Sequence, residues 1–549
     1  MKKLLAAIVL ATALLSCTNV NEGIGSNFIA TNQKYDFFTK EFDLEEIWMK
    51  SVDSLSGYSS ARINFGAIRD DTYGLFRRGC VVTLVPVMDT VDFGQDPIFK
   101  RFRFQAACDT VSVSDLNQAN ILQNVNVYAL TEPLDAKQYY SRTEVKHSAD
   151  KVTKGVPVVN GTDSLVFDLT EEYGKQYFGI KQEDLTDYAT YCKKFPGIYL
   201  TTDDPVGNGG RFNMFEMNIL SLDSSSGSTY VTRTDNFAVL YYSGIYKGER
   251  KDTSLMFYFS PLQFQDLDSL ISVTATPEQY VFNVDYHESD HLAGRAVDKV
   301  YIEGGSGLKP VIPADEIRRL VNSDITANGG DPRTALISKA TIVLPFEFPD
   351  DYKTMYLFPE ILSPTVKIST DTTVTFAGLT DASVSTENQG EINRSLCNYA
   401  PDVTHHVQQI IRKEDSDISD YDIWMLLMCV ITTTTTNADA SQMASYYQQL
   451  AYYSYYNQLY GYGGYGGYGG YGYGGYGGYG GYGGYGYNNY YNYMMMAQYA
   501  SASASSTSTS TELDRDRYYN CWLNGPGAPG LQSPGKKPKL KVTYALPKV

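Results

Sequence analysis

From about residue 60 onward, apolar positions recur in short, partly alternating runs rather than at helical spacing. Runs at 60–68, 79–88, 102–108, 125–130 and 237–242 are rich in β-branched and aromatic residues, with turn-forming residues between them. They predict strands. The pattern breaks at Asp168-Leu169-Thr170-Glu171-Glu172-Tyr173, where an Asp/Thr cap and first-turn acids precede apolar Tyr173, Tyr177 and Phe178. That is the start signal of a short helix. Gly207-Asn208-Gly209-Gly210 reads as a turn. Residues 30–245 are therefore expected to fold as an antiparallel β-sandwich with one small crossing helix.

The second half repeats this pattern. Strands are predicted at 255–259, 280–286, 299–303, 340–348, 354–358, 373–377, 421–431, 518–523 and 540–546. Helix signals occur at 313–321, where Pro313 and acids open a turn of Ile317, Leu320 and Val321. They recur at 402–411, where Val403, Val407, Ile410 and Ile411 share one face. The expectation is a second antiparallel sandwich over 246–549. A low-complexity loop at about 432–515 interrupts it. It passes from Thr432–Thr436 through a Tyr/Gln-rich stretch into a Gly-Gly-Tyr repeat at about 461–487, then a Ser/Ala/Thr run. Nearly uncharged, glycine-rich and without aliphatic periodicity, it has too little to bury to offset its chain entropy. It is expected to be a disordered Gly/Tyr-rich insertion, and a domain tolerates one because closure cost rises slowly with length. Its tyrosines are suited to weak stacking on sugars or aromatics; a repeat expansion without a binding role is the plainer account. The fold class is thus mainly β, two antiparallel sandwiches with a few short helices.

At the N-terminus, Lys2 and Lys3 precede an apolar run from Leu4 to Leu15, too short to span a bilayer. It ends in Leu14-Leu15-Ser16-Cys17, the pattern of a bacterial lipobox. Residues 1–16 read as a lipoprotein signal peptide and Cys17 as the lipidation site. Residues 17–29 read as a lipidated polar tether. Two or three acyl chains on one residue suffice for stable anchoring.

The 549 residues carry a net charge of −17, which argues against a nucleic-acid partner and against electrostatic attraction to anionic lipid. The longest later apolar run, 423–431, is strand-length, so the lipid is the expected membrane attachment. Of seven cysteines, Cys17 is taken by the anchor. Cys80, Cys108, Cys192, Cys397, Cys429 and Cys521 contain no CxxC pair, which disfavours metal ribbons and redox motifs. Their pairing stays open.

Several stretches carry a resemblance. Ile24-Gly25-Ser26-Asn27-Phe28-Ile29 follows the lipobox, and Val125-Asn126-Val127-Tyr128-Ala129-Leu130-Thr131-Glu132-Pro133-Leu134 and Tyr139-Tyr140-Ser141 come later. Tyr301-Ile302-Glu303-Gly304-Gly305-Ser306-Gly307-Leu308-Lys309 and Pro538-Lys539-Leu540-Lys541-Val542-Thr543-Tyr544 complete the set. Together they resemble the Bacteroidota lipoprotein family catalogued as domain of unknown function 4270. The Gly/Tyr insertion departs from that pattern. The resemblance implies an exported, lipid-anchored, β-rich envelope protein and supplies no catalytic residues. Triplets such as Asp109-Thr110-Val111 and Asp163-Ser164-Leu165 also look like the O-glycosylation sequon of that phylum.

Candidate chemistry is sparse. His287-Glu288-Ser289-Asp290-His291 matches HExxH, which on a helix sets two histidines toward zinc and a glutamate toward its water. Here a strand-like alternation leads into it and Gly294 follows, so His287 and His291 are weak metal candidates and a polar loop is the better reading. His405 and His406 are neighbours that point apart on a helix. Asp415, Asp417, Asp420 and Asp422 lack the glycine and closing glutamate of a calcium loop and read as a solvated turn. Gly304-Gly305-Ser306-Gly307 falls one glycine short of a nucleophile elbow and reads as a turn. No cofactor and no enzymatic activity are expected. The reading taken forward is an outer-membrane lipoprotein with a binding or adhesion role toward glycan or protein. The alternative is a periplasmic structural accessory of an envelope complex, and a zinc-dependent hydrolase ranks last. With one acid in Thr18–Glu22, the membrane face stays undetermined.

Overall fold

Alternation along the strand Gly74–Val82 puts Phe76, Arg78, Cys80 and Val82 on one face, and that face changes neighbours along its length: Cys80 and Val82 enter one hydrophobic core, while Phe76 and Arg78 face a junction described below. The computed structural model describes residues 34–53, 55–59, 62–88, 90–134, 140–217, 219–223, 230–259, 279–369, 374–383, 388–436, 505–527 and 536–548. Within them the protein is mainly β, built of antiparallel sheets with a few short helices.

The first core lies between two sheets. A ten-stranded sheet includes Arg62–Asp70, Gly74–Val82, Gln123–Leu130, Ile198–Thr202, Gly209–Glu216 and Val281–His287. A five-stranded sheet orders Leu165–Leu169, Gln95–Ala106, Phe237–Tyr246, Glu249–Phe259 and Leu84–Pro86. Phe65, Val127 and Leu200 from the first pack against Phe102, Phe104, Leu240 and Phe257 from the second. The short helix arrives where the caps place it: Thr170 accepts from the Tyr173 amide, and Glu171–Gln176 buries Tyr173.

The second core also lies between two sheets. One orders Tyr35–Asp43, Lys539–Pro547, Leu336–Pro345, Asn398–Tyr399 and Ile392–Asn393. The other orders Gly294–Arg295, Trp48–Ser51, Leu308–Ile312, Ile423–Thr436, Ile361–Ser369 and Val374–Gly378, with Ser505–Leu513 added on Ile423–Thr436. Phe42, Ile342, Val542 and Tyr544 meet Met49, Ile312, Leu362 and Met425. The helices Ala314–Ala327 and Thr404–Ile411 bury Ile317, Val321, Ile325, Val407 and Ile410 in the same core.

Three expectations are corrected. The division at 245/246 falls inside a hairpin, because Lys247 (φ 53°) and Gly248 (φ 86°) form a tight two-residue turn that pairs Tyr246 with Glu249. Glu249–Phe259 and Val281–His287 therefore belong to the first core's sheets, whereas Tyr35–Asp43 and Trp48–Ser51 pair with strands of the second. The predicted strand at 354–358 lies in a 3-10 turn, Tyr352–Leu357, which Asp351 starts by accepting from the Lys353 amide at 2.9 Å. Finally, the flanks of the insertion are strands. Thr432 to Thr436 pair with Thr509 to Ser505, as β-branched threonine favours a paired extended backbone. The remainder, 437–504, lies outside the described residues.

Candidate functional site

A buried polar cluster sits where the ten-stranded sheet runs past its own partner sheet and meets the second core. Strand Val281–His287 places Asn283, Asp285 and His287 on one face by simple alternation. Their cross-strand partners are Cys80, Arg78 and Phe76. Arg78 and Asp285 pair in bidentate fashion, Nε to Oδ1 at 2.6 Å and Nη2 to Oδ2 at 2.9 Å. The guanidinium also donates from Nη1 to the Arg515 carbonyl at 2.6 Å and lies 5.4 Å from the Phe212 ring centre. Paired and fully hydrogen-bonded, the charge is tolerated in the interior.

Beside the pair, the turn Gly304–Gly307 is closed by a Gly307 amide to Gly304 carbonyl bond of 3.0 Å, as the sequence predicts. Lys309, buried, fills it from within. Its Nζ donates to the carbonyls of Glu303 at 2.5 Å, Gly305 at 3.0 Å and Gly307 at 3.0 Å. Burial brings Lys309 down to about 7, against the opposing pull of Glu303 and Asp285. Burial likewise pushes Glu303 up to about 8, although Ser289 and Lys309 favour its charged form.

Ser289 donates to Glu303 Oε2, and His287 Nδ1 lies 3.0 Å from the same hydroxyl. As a carboxylate Glu303 takes the Ser289 proton and His287 donates from Nδ1; as a carboxylic acid Glu303 donates to Ser289 and leaves the hydroxyl proton for His287. Burial, then the nearby Arg142 charge, lowers His287 to about 4. The His287 and Glu303 side chains are both 0% exposed, so these groups face one another rather than solvent.

The junction extends along residues 514–521, which run between the two cores. Asn64 reaches the Asp516 carbonyl at 2.8 Å, and Arg515 reaches that of Tyr58 at 2.8 Å. The Tyr518 amide donates to Ser112 at 2.8 Å, and the Tyr73 hydroxyl to the Cys521 carbonyl at 2.5 Å. The segment directly follows strand Ser505–Leu513, so the return leg of the insertion is anchored in the junction.

The HExxH spacing does not build a zincin site. His287 ends a strand, and Ser289–Leu292 is a 3-10 turn rather than an α-helix. His287 is enclosed; exposed His291 has its ring nitrogens 2.8 Å from the Glu288 carbonyl and 3.1 Å from that of Thr72. His406 Nε2 meets the Tyr421 carbonyl at 2.9 Å, while His405 points elsewhere. In the acidic stretch, Asp422 caps helix Ala314–Ala327 through the Ala314 amide at 2.9 Å, and Asp417 accepts from the Ser419 amide. Among the described residues, no three His, Cys, Asp or Glu side chains group as metal ligands. Among the described residues, Cys80, Cys108, Cys192, Cys397 and Cys521 are free thiols. Cys17 lies outside the described residues. An open cleft of about 350 Å³ sits between residues 118–124 and 203–210; on its rim Asp203 holds Asn124 and Asp204 holds Arg77.

The junction escapes sequence reasoning, since its members come from four separate stretches. The available signals were Arg78 within an apolar strand and Glu303 and Lys309 flanking a glycine turn. No family model matches the chain, and neither a curated protein nor a solved structure matches it.

Proposed function

We propose that this chain is a lipid-anchored cell-envelope protein with a non-enzymatic binding or adhesion role toward a glycan or a protein. The observation that carries the reading is the ribbon of Ile423–Thr436 and Ser505–Leu513. Its inner residues pair with Ile361–Ser369, but from Cys429 to Thr436 the strand pairs, among the described residues, only with Ser505 to Glu512. Such a two-stranded extension, about 26 Å long at ~3.3 Å per residue, holds both ends of the Tyr/Gly-rich stretch side by side beyond the sheet. The lipobox at Cys17 and the resemblance to domain of unknown function 4270 support an envelope location. The enclosed junction supports a structural task for its buried charges, leaving loops and ribbon for contact with partners.

The test combines protease shaving of intact cells with deletion of 437–504. Outward exposure, together with loss of glycan or cell binding in the deletion, is the expected result. Protection until the outer membrane is opened would defeat the adhesion reading in favour of a periplasmic accessory.

A further inference from the structure

On the outer face of the sheet that contains Tyr35–Asp43, a row of apolar side chains crosses three strands. Alternation along Tyr35–Asp43 turns Phe38 and Phe42 inward, Phe38 stacking on Tyr544 at 5.4 Å. Tyr35 and Phe37 therefore face out. Register sets Phe37 beside Ala545, and Ala545 beside Leu336, with Tyr35 next to Pro547. Phe37 is 70% exposed, Leu336 42% and Tyr35 41%, while Ala545 between Phe37 and Leu336 is covered at 4%.

Building on the lipoprotein reading above, we infer that this row rests on the lipid–water interface of the membrane carrying the anchor. Position is the first reason. Tyr35 is the first residue of the first strand, only eighteen positions after Cys17. Eighteen residues reach at most about 65 Å, so this end of the sheet is tied to within that distance of the anchor. Size is the second. A stable protein–protein interface needs about 800 Å² per partner, which three side chains and an alanine do not supply. A membrane that already holds the chain by acyl groups needs only an orienting contact, and for that a few apolar residues suffice. Chemistry is the third. Aromatic residues, tyrosine above all, suit a boundary that is apolar on one side and wet on the other. The net charge of −17 leaves little electrostatic attraction, so zwitterionic lipid is the matching surface.

The experiment uses the full lipidated protein in phosphatidylcholine vesicles, with tryptophan fluorescence read with and without brominated lipid. Phe37→Trp is the probe. Ile98→Trp, at a site 52% exposed on the other sandwich, is the control. The expected result is a blue shift and bromolipid quenching for the Phe37 variant beyond the native tryptophan signal, with neither change for the Ile98 variant. Adding Leu336→Ser should reduce that quenching while the protein stays vesicle-bound. A Phe37 variant that is acylated at Cys17 by mass, yet unshifted and unquenched, overturns the inference and leaves the lipoprotein reading intact. An unacylated N-terminal peptide overturns both.

Discussion

Arg78 Nε lies 2.6 Å from Asp285 Oδ1, with side-chain exposures of 2% and 1%, at the point where the two sandwich cores meet. Strand pairing puts the two residues directly opposite each other. Two fixed backbones therefore supply the geometry, and neither long side chain has to be ordered by the ion pair alone.

Removing one partner leaves the other charged and buried. Arg78→Met or Asp285→Leu alone should each lower stability by about 3–5 kcal/mol in urea titration. The double variant should recover a large share of that loss, because no unpaired charge remains. Additive losses would mean the two side chains are not coupled.

The junction should give stability two opposing pH dependences. His287 is held at about 4 against an ordinary 6.5, so between these values the unfolded chain binds a proton that the native chain does not. Its contribution, about 3 kcal/mol, is fully present above pH 6.5 and is lost as pH falls toward 4. Glu303 is raised to about 8 from 4.5, so its contribution is present below about pH 4.5 and is lost as pH rises through 8. Subtracting the His287→Gln stability profile from that of the wild type should leave a difference that rises from pH 4 to 6.5. Subtracting the Glu303→Gln profile should leave one that falls between about pH 5 and 8. Two flat differences would remove these groups from the junction's energetics.

Gly305 has a positive φ of 53°, and a Cβ there would lie 2.5 Å from Arg78 Nη2 and 3.0 Å from Asp285 Oδ2. Gly305→Ala thus combines backbone strain with displacement of a buried ion pair. A loss of about 2–4 kcal/mol is expected by the same titration. A neutral result would show that the turn can move away from the pair.

Many of the longer strands and three helices were legible because local signals and tertiary packing agree: Thr170 caps, Pro313 opens a helix, and Val407 and Ile410 face the core. Chain pairing over long separations was not legible. Nothing local tells Tyr35–Asp43 to lie beside Lys539–Pro547, and the Lys247-Gly248 turn resembles any loop until its pairing is known. The junction failed for a related reason. Arg78, Asp285, Glu303 and Lys309 are ordinary surface residue types, and only the sheet register converts them into a buried cluster.

The ribbon offers a prediction in which a deletion stabilises. Thr436 and Ser505 are paired, so replacing 437–504 with Asn-Gly closes the two strands by a two-residue turn without changing register. Shortening the closed loop about thirtyfold lowers closure cost by about 3 kcal/mol. The gain falls on rungs 429–436 and 505–512, which pair with no other strand among the described residues, so global unfolding should move little. Amide exchange in those rungs should slow by on the order of a hundredfold, while the strands around Phe65 and Phe102 exchange as before. Unchanged exchange would mean that the ribbon opens independently of its tip. A broad loss of protection across both cores would mean that 437–504 belongs to the folded body, and the display role proposed for the ribbon would fall with it.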